Sequence, residues 1–100
     1  MTISAKVTKK ASARRAVTFE FEDAPGKEVF LAGSFNNWQL TTRMKEKEQS
    51  GTYRCRLLLE PGEYQYKFVV NGEWRLDGQN GCFAPNGFGE LNSVLKVEPK

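Results

Sequence analysis

The chain contains no histidine, only two cysteines and no long hydrophobic run. Without histidine it lacks the commonest general base and the usual partner of a nucleophilic serine or cysteine. Its acidic residues are scattered along apparent strands and turns, so a converging pair of catalytic carboxylates is not expected either. We therefore expect a protein that is not an enzyme.

The two cysteines, Cys55 and Cys82, are interpreted as free thiols. Cys55 alternates with apolar residues and reads as a small core side chain, whereas Cys82 falls in a loop rich in glycine and asparagine. A disulfide between them is the weaker alternative, because the first residues show no apolar stretch of signal-peptide length and no run approaches the ~20 apolar residues of a membrane span, which favours a reducing compartment. The expected location is the cytoplasm, with no membrane contact. Two thiols are too few for structural zinc, and no metal or cofactor is expected.

Positive charge is concentrated at the N-terminus. The formal net charge is +3, yet residues 1–15 hold five cations and no acid, so the rest of the chain has a net charge of −2. We divide the chain into a basic, flexible N-terminal arm, residues 1–15, and a domain, residues 16–100. The arm is either a solubilising tail or a tether to an anionic partner.

Apolar residues alternate with polar ones through most of the domain, which is typical of half-buried β-strands. Asn71-Gly72 is a strong hairpin signal. The stretch 39–51 reads as an exposed strand or a loop, and residues 77–89 as a long loop. About seven to eight short strands without a helix predict an all-β antiparallel sandwich, although the pattern alone does not separate an immunoglobulin-like topology from a jelly roll. The clearest strands are predicted at residues 16–22, 28–34, 52–59, 64–70, 73–76 and 90–97.

Two tryptophans follow directly on strand ends. Trp38 and Trp74 each stand beside asparagine and glycine residues of the type that form surface turns. A large flat ring held at a surface turn is a platform for a flat ligand. The competing interpretation is that each indole is a partly buried core residue.

A lysine and an asparagine stand near these rings in the predicted sheet. Alternation places Lys67 on the face opposite the core, and the hairpin returns Trp74 close to it. If Trp38 lies on the same side, two indoles flank one lysine. One face of a glucose ring is weakly apolar and packs on an indole, while Lys67 and Asn92 would bond its hydroxyls. Taken singly, Lys67 is more typical of a solvated strand residue, and Asn92 of a turn or strand-edge residue.

Four motifs carry a family resemblance that spans residues 17–97. In order and spacing, the chain resembles the glycogen-binding module of AMP-activated protein kinase beta subunits, which is related to the early-set N-terminal domains of isoamylases and glycogen-branching enzymes. The resemblance implies an immunoglobulin-like early-set sandwich that binds α-1,4-linked glucans such as glycogen or starch. The motifs are Gly33-Ser34-Phe35-Asn36-Asn37-Trp38, Pro61-Gly62-Glu63-Tyr64-Gln65-Tyr66-Lys67-Phe68, Val70-Asn71-Gly72-Glu73-Trp74 and Leu91-Asn92-Ser93-Val94-Leu95-Lys96-Val97.

The resemblance also implies a set of carbohydrate-binding residues. Trp38 and Trp74 match the two stacking tryptophans of the family, Lys67 matches its sugar-contacting lysine, and Asn92 matches its hydrogen-bonding asparagine. These four positions together favour a sugar over a protein ligand, because a protein contact would not require all of them.

Two further site positions depart from the family pattern. Phe88 falls where the kinase modules have a leucine that reaches the sugar, and it reads either as a third apolar contact or as a plug within its loop. Glu90 falls where they have a threonine, and its carboxylate would either accept hydrogen bonds from hydroxyls or crowd the site. The loop 77–89 also reads as longer than its family counterpart.

The sequence thus predicts a non-catalytic carbohydrate-binding module for α-1,4-glucans. It would act as a stand-alone glycan adaptor or as a module of glycogen or starch metabolism, with a glycogen-metabolising enzyme or kinase as a further possible partner. The alternative is a protein–protein interaction domain that uses the same aromatic surface. Nucleic acid is disfavoured because the domain itself is negatively charged.

Overall fold

The computed structural model describes residues 14–87 and 89–99, and every regular element within them is a β-strand. Of the predicted basic arm, residues 1–13 lie outside this part of the chain, as does Phe88. No helix in the described ranges is long and apolar enough to span a membrane. The strands are β1 (Arg15–Glu22), β2 (Val29–Gly33), β3 (Thr42–Arg43), β4 (Lys45–Glu46), β5 (Thr52–Leu59), β6 (Gly62–Val70), β7 (Glu73–Arg75), β8 (Phe83–Pro85) and β9 (Leu91–Val97).

The strands form two antiparallel sheets. The smaller sheet has the order β1-β5-β4, and the larger has the order β3-β2-β6-β9-β8 with β7 paired to β6. β6 is central: its first half pairs with β9 and its second half with β7. The prediction of an all-β antiparallel sandwich is confirmed.

The core lies between the two sheets and follows the predicted alternation. Leu31 and Phe68 face each other in register across β2 and β6, and both are fully buried. Side chains of this size each stabilise the fold by about 1.5–3 kcal/mol when buried. Since neighbouring residues of a strand point to opposite faces, Lys67 lies on the outer face of the larger sheet. The buried core residues are Phe19, Val29, Leu31, Met44, Tyr53, Leu59, Tyr66, Phe68, Val70 and Val97.

The hairpin between β6 and β7 forms at the predicted Asn71-Gly72 pair. Both residues have positive φ, 48° and 85°, as a type I′ turn requires. Asn71 also accepts a hydrogen bond from the Glu28 amide, at 2.9 Å, and donates its own amide to the Glu28 carbonyl, at 2.8 Å. The turn is thereby fixed to the start of β2, and it places Trp74 directly opposite Val69.

One segment contains more regular structure than expected: the predicted loop 77–89 includes the short strand β8, which pairs with β9. The stretch 39–51, predicted as an exposed strand or a loop, contributes β3 and β4, of two residues each. The described residues therefore hold nine strands where seven to eight were expected. The sequence does not predict β8, because Pro85 and the glycines and asparagines on either side of this strand are turn formers that are rarely found within strands.

Candidate functional site

A groove of about 840 Å³ lies on the outer face of the larger sheet. It runs between the loop that follows β2 and the segment that leads into β9. Five of the six residues predicted as sugar contacts line it, and they come from segments far apart in the sequence. The five residues are Trp38, Lys67, Trp74, Glu90 and Asn92.

Asn36 holds the loop that carries Trp38. Its side-chain oxygen accepts a hydrogen bond from the Gly33 amide, at 3.0 Å, and its amide nitrogen donates to the Leu31 carbonyl, at 3.0 Å, and to Thr42 Oγ1, at 3.2 Å. The Trp38 amide donates to the Gly33 carbonyl, at 2.9 Å. These bonds close a tight turn that directs Trp38 to the groove.

The backbone at Trp38 is in an unusual conformation. Asn37 and Trp38 have φ of 57° and 60°, in the left-handed region that costs an L-residue roughly 1–2 kcal/mol. Asparagine adopts this region readily, but tryptophan does not. Such outliers persist where surrounding bonds hold them, and they cluster at functional sites. The strain at Trp38 therefore marks this turn as a candidate ligand contact.

Gly33 and Phe35 anchor the same turn to the sandwich. A Cβ atom added at Gly33 would lie 2.6 Å from the Gln65 carbonyl oxygen and 2.7 Å from the Phe35 ring. Phe35 packs on the core: the centre of its ring lies 5.7 Å from the ring centre of Phe19 and 6.1 Å from that of Tyr64. The turn is therefore fixed at both ends, by close backbone approach at Gly33 and by the partly buried ring of Phe35, which packs on the core.

The two indoles are neighbours. Their ring centres lie 6.5 Å apart, and the ring planes are tilted by 46°. Trp38 is half-buried, whereas Trp74 is 46% exposed. Each leaves part of an apolar ring surface on the wall of the groove, at an angle to the other.

Lys67 lies at the floor of the groove and is only 7% exposed. Its Nζ atom forms an ion pair with Glu90 Oε1 at 3.0 Å, and the Glu90 side chain is 68% exposed. Pairing is what allows the lysine to be buried, because an unpaired buried charge is costly. Lys67 lies on the outer face of the sheet, as predicted. The interpretation of Lys67 as a solvated strand residue is wrong, because its side chain is buried.

Asn92 is also buried in the groove, at 6% exposure. Its side-chain amide donates to Gln65 Oε1 at 2.9 Å, while the Gln65 backbone amide bonds to Ser34 Oγ at 3.1 Å. Sequence reasoning missed Gln65 as a site residue. The signal was available, since Gln65 lies two positions before Lys67 in one strand and shares its face.

The groove offers noncovalent contacts of two kinds. Tilted aromatic rings form its walls, and charged and amide groups form its floor, as in sites for ligands that combine an apolar face with hydroxyl groups. Within the described residues, no group of three histidine, cysteine or acidic side chains is placed to hold a metal ion. Of the predicted contacts, Phe88 lies outside the described part of the chain.

Comparison with known proteins gives a family match over most of the chain. The family described as the glycogen recognition site of AMP-activated protein kinase matches residues 15–100. Among individual proteins, the chain is similar to the 5'-AMP-activated protein kinase subunit beta-1 of Sus scrofa, with 34% identity over 93 residues, which cover 93% of this chain and 73% of that sequence.

Two plant proteins are also similar. Protein FLOURY ENDOSPERM 6 of Oryza sativa subsp. japonica is 43% identical over 73 residues, or 73% of this chain. Protein PTST homolog 2 of Arabidopsis thaliana is 44% identical over 61 residues, or 61% of this chain. The matched segment spans only 13% of the rice protein and 11% of the Arabidopsis protein. Both carry the description chloroplastic, so the family does not fix the cytoplasm as the compartment.

The family match and the sandwich fold agree with the resemblance carried by the four motifs. The prediction of a carbohydrate-binding module of the glycogen and starch type is confirmed at the level of the family. The chain belongs to the family of glycogen recognition sites of AMP-activated protein kinase, a family of binding modules.

Proposed function

We propose that the groove between Trp38 and Trp74 binds α-1,4-linked glucan chains without altering them. The observation that carries the proposal is the pair of indole rings 6.5 Å apart, with Lys67 beside them on the groove floor. Membership in a glycogen recognition family supports it.

The tilt of the two rings suits the shape of the ligand. Successive glucose units of an α-1,4-linked chain turn relative to one another and give a curved chain, whereas β-1,4-linked chains are flat. Platforms inclined by 46° accept two units of a curved chain better than two units of a flat one. Each ring contact contributes about 1–1.5 kcal/mol, so a free oligosaccharide binds in roughly the micromolar to millimolar range. A polymer with many chain ends strengthens the attachment by avidity.

Hydrogen bonds at the floor orient the sugar. Lys67 and Asn92 donate to hydroxyl oxygens, and the exposed carboxylate of Glu90 accepts from hydroxyl groups. Gln65 holds the Asn92 amide in place through their 2.9 Å bond. Phe88 is retained in the proposal as a third apolar contact, on the resemblance alone.

The proposal assigns no catalytic residue to this chain. In this proposal the chain acts as a glycan adaptor, on its own or within a larger protein of glycogen or starch metabolism. An enzyme of that metabolism or a kinase is the proposed protein partner, and the cytoplasm the proposed location. The proposal keeps the division into a basic arm, residues 1–15, and a binding domain, residues 16–100.

A second candidate function is docking of a partner protein on the same surface. It is favoured by Leu40, which is 48% exposed two residues after Trp38. The polar floor beneath the rings favours the sugar, because a protein surface would have to match the Lys67–Glu90 pair and the Asn92 amide with groups of its own.

Native electrophoresis in gels that contain glycogen tests the proposal. The protein is expected to migrate more slowly with glycogen than without it, and Trp74→Ala is expected to remove the retardation. Leu58→Ala is the matched control, because Leu58 is 57% exposed on the other sheet. Equal mobility of the native protein in both gels would contradict glucan binding and leave the docking surface as the better account.

A further inference from the structure

The groove continues well past the two indoles. Trp74 lies opposite Val69 of β6, and toward the start of that strand every second residue shares the same outer face: Lys67, Gln65 and Glu63. At about 3.3 Å per residue, the floor from Lys67 to Glu63 is roughly 13 Å long, which exceeds the length of one sugar ring. The indoles therefore cover only one end of the groove. The remainder is its polar half, and the polar side chains that line it are Ser34, Glu63, Gln65 and Asn86.

Both walls of the polar half are held by backbone hydrogen bonds. On one side the Ser34 amide donates to the Gln65 carbonyl, at 2.9 Å, and the Gln65 amide donates to Ser34 Oγ, at 3.1 Å. On the other side the Asn86 amide donates to the Glu90 carbonyl, at 2.9 Å, and Asn86 Oδ1 accepts from the Glu90 amide, at 3.3 Å. A chain that leaves the indoles in this direction is therefore guided over Gln65 toward Glu63.

Gln65 and Glu63 offer a donor and an acceptor to such a chain. Gln65 Oε1 already accepts from the Asn92 amide, so the group of Gln65 that remains for a ligand is its amide nitrogen, which donates. The Glu63 carboxylate is exposed, and within residues 14–87 and 89–99 it has no ion pair or hydrogen bond. Glu90, by contrast, is paired with Lys67. Since a sugar hydroxyl both donates and accepts, Gln65 and Glu63 together match the hydroxyl groups of one sugar unit.

We propose that the polar half is a further glucose subsite, in which Gln65 and Glu63 bind the hydroxyl groups of a unit that continues the chain stacked on the indoles. The inference rests on the proposed function, because this unit belongs to the same glucan. A chain that ends at the indoles leaves the subsite empty. The subsite therefore makes the affinity depend on chain length.

Glu63 is the residue that tests the subsite. It lies farthest from the indoles along the floor, and its exposed side chain has no described partner that its removal would disturb. Gln65 is less suitable, because its replacement also releases Asn92. A longer chain binds in more registers, so a gain in affinity with length is not decisive by itself. The decisive quantity is the effect of Glu63→Ala on short and on long chains.

NMR titrations of the full chain with maltotriose and with maltoheptaose measure that effect, because they follow even millimolar binding. Glu63→Ala is expected to weaken maltoheptaose binding by about threefold to tenfold, through one lost hydrogen bond to a charged acceptor, and to leave maltotriose binding unchanged. Glu22→Ala is the matched control, since Glu22 is exposed on the other sheet, and it is expected to change neither. Dispersed amide signals show that each variant is folded.

Two results would overturn the further subsite. Equal affinity of Glu63→Ala and the native protein for maltoheptaose would show that the chain does not reach Glu63. Equal weakening with both sugars would place Glu63 in the binding of the stacked units. The maltoheptaose measurement decides by itself if maltotriose binds too weakly to titrate. If the native protein binds neither sugar, the proposed function fails and the subsite fails with it.

Discussion

The ammonium group of Lys67 lies 3.0 Å from a carboxylate oxygen of Glu90, with the lysine buried in the floor of the groove and the glutamate side chain exposed. The pair is therefore asymmetric. Removal of the lysine leaves a carboxylate that water can solvate, whereas removal of the glutamate leaves a buried cation without this partner. The lysine is thus the member of the pair whose replacement separates sugar binding from stability.

Lys67→Met keeps the apolar stem and removes the charge. The free energy of unfolding is expected to change by no more than about 1 kcal/mol, because the ion pair is open to solvent on its glutamate side. The affinity for maltoheptaose is expected to fall about tenfold, through the loss of a charged hydrogen-bond donor. Urea unfolding and calorimetric titration measure the two quantities.

Lys45→Met is the matched control, since Lys45 is exposed in β4 and lies outside the groove. It is expected to leave both stability and binding as they are. If Lys67→Met bound maltoheptaose as tightly as the native protein, Lys67 would have no part in sugar recognition.

Asn36→Ala tests how Trp38 is positioned. The variant loses the bonds to the Gly33 amide, the Leu31 carbonyl and Thr42, so the free energy of unfolding is expected to fall by about 1–3 kcal/mol. Glucan affinity falls as well, because the turn no longer holds Trp38 at the groove. Denaturant titration and calorimetry on the same sample measure both.

Asn37→Gly is the control for that variant. Asn37 has φ of 57°, which glycine adopts freely, so both stability and binding are expected to remain close to the native values. Full glucan affinity in folded Asn36→Ala would show that the Asn36 bonds do not position Trp38.

The sequence allowed the prediction of most of the sandwich and of one half of the site. Alternation around Lys67 and the Asn71-Gly72 turn place Trp74 correctly near the lysine, since both rules are local. The sequence leaves the position of Trp38 open, because that position depends on the three hydrogen bonds of Asn36 and on a positive φ that no periodicity reveals. The burial of Lys67 was missed for a similar reason: it results from segments distant in the sequence that meet over one strand.

The two thiols are expected to differ in reactivity. Burial raises the pKa of Cys55 to about 11 from its ordinary value of 9.0 and also hinders access, whereas Cys82 is exposed. Since the thiolate is the reactive form, a disulfide reagent at pH 8 is expected to label Cys82 quickly and Cys55 slowly. Mass spectrometry of the time course assigns each site. Equal rates in the folded protein would contradict the packing of Cys55 against the core.

The pKa of Cys55 also predicts a loss of stability in alkali. The thiol ionises near pH 9 in the unfolded chain and near pH 11 in the folded protein, so the unfolded state releases its proton first. Stability from this group is complete below pH 9 and declines as the pH rises toward 11. Denaturant unfolding is expected to show this decline in the native protein and a shallower one in Cys55→Ala. The same slope in both proteins would exclude Cys55 as the cause.

Calorimetric titration with maltoheptaose, and with cellohexaose as the β-1,4-linked control, tests the central claim most directly. The native protein is expected to bind maltoheptaose saturably and cellohexaose not measurably, and Trp38→Ala and Trp74→Ala are each expected to bind maltoheptaose at least about tenfold more weakly. No binding of maltoheptaose at millimolar concentration, or equal binding of both sugars, would contradict an α-glucan site between the two indoles.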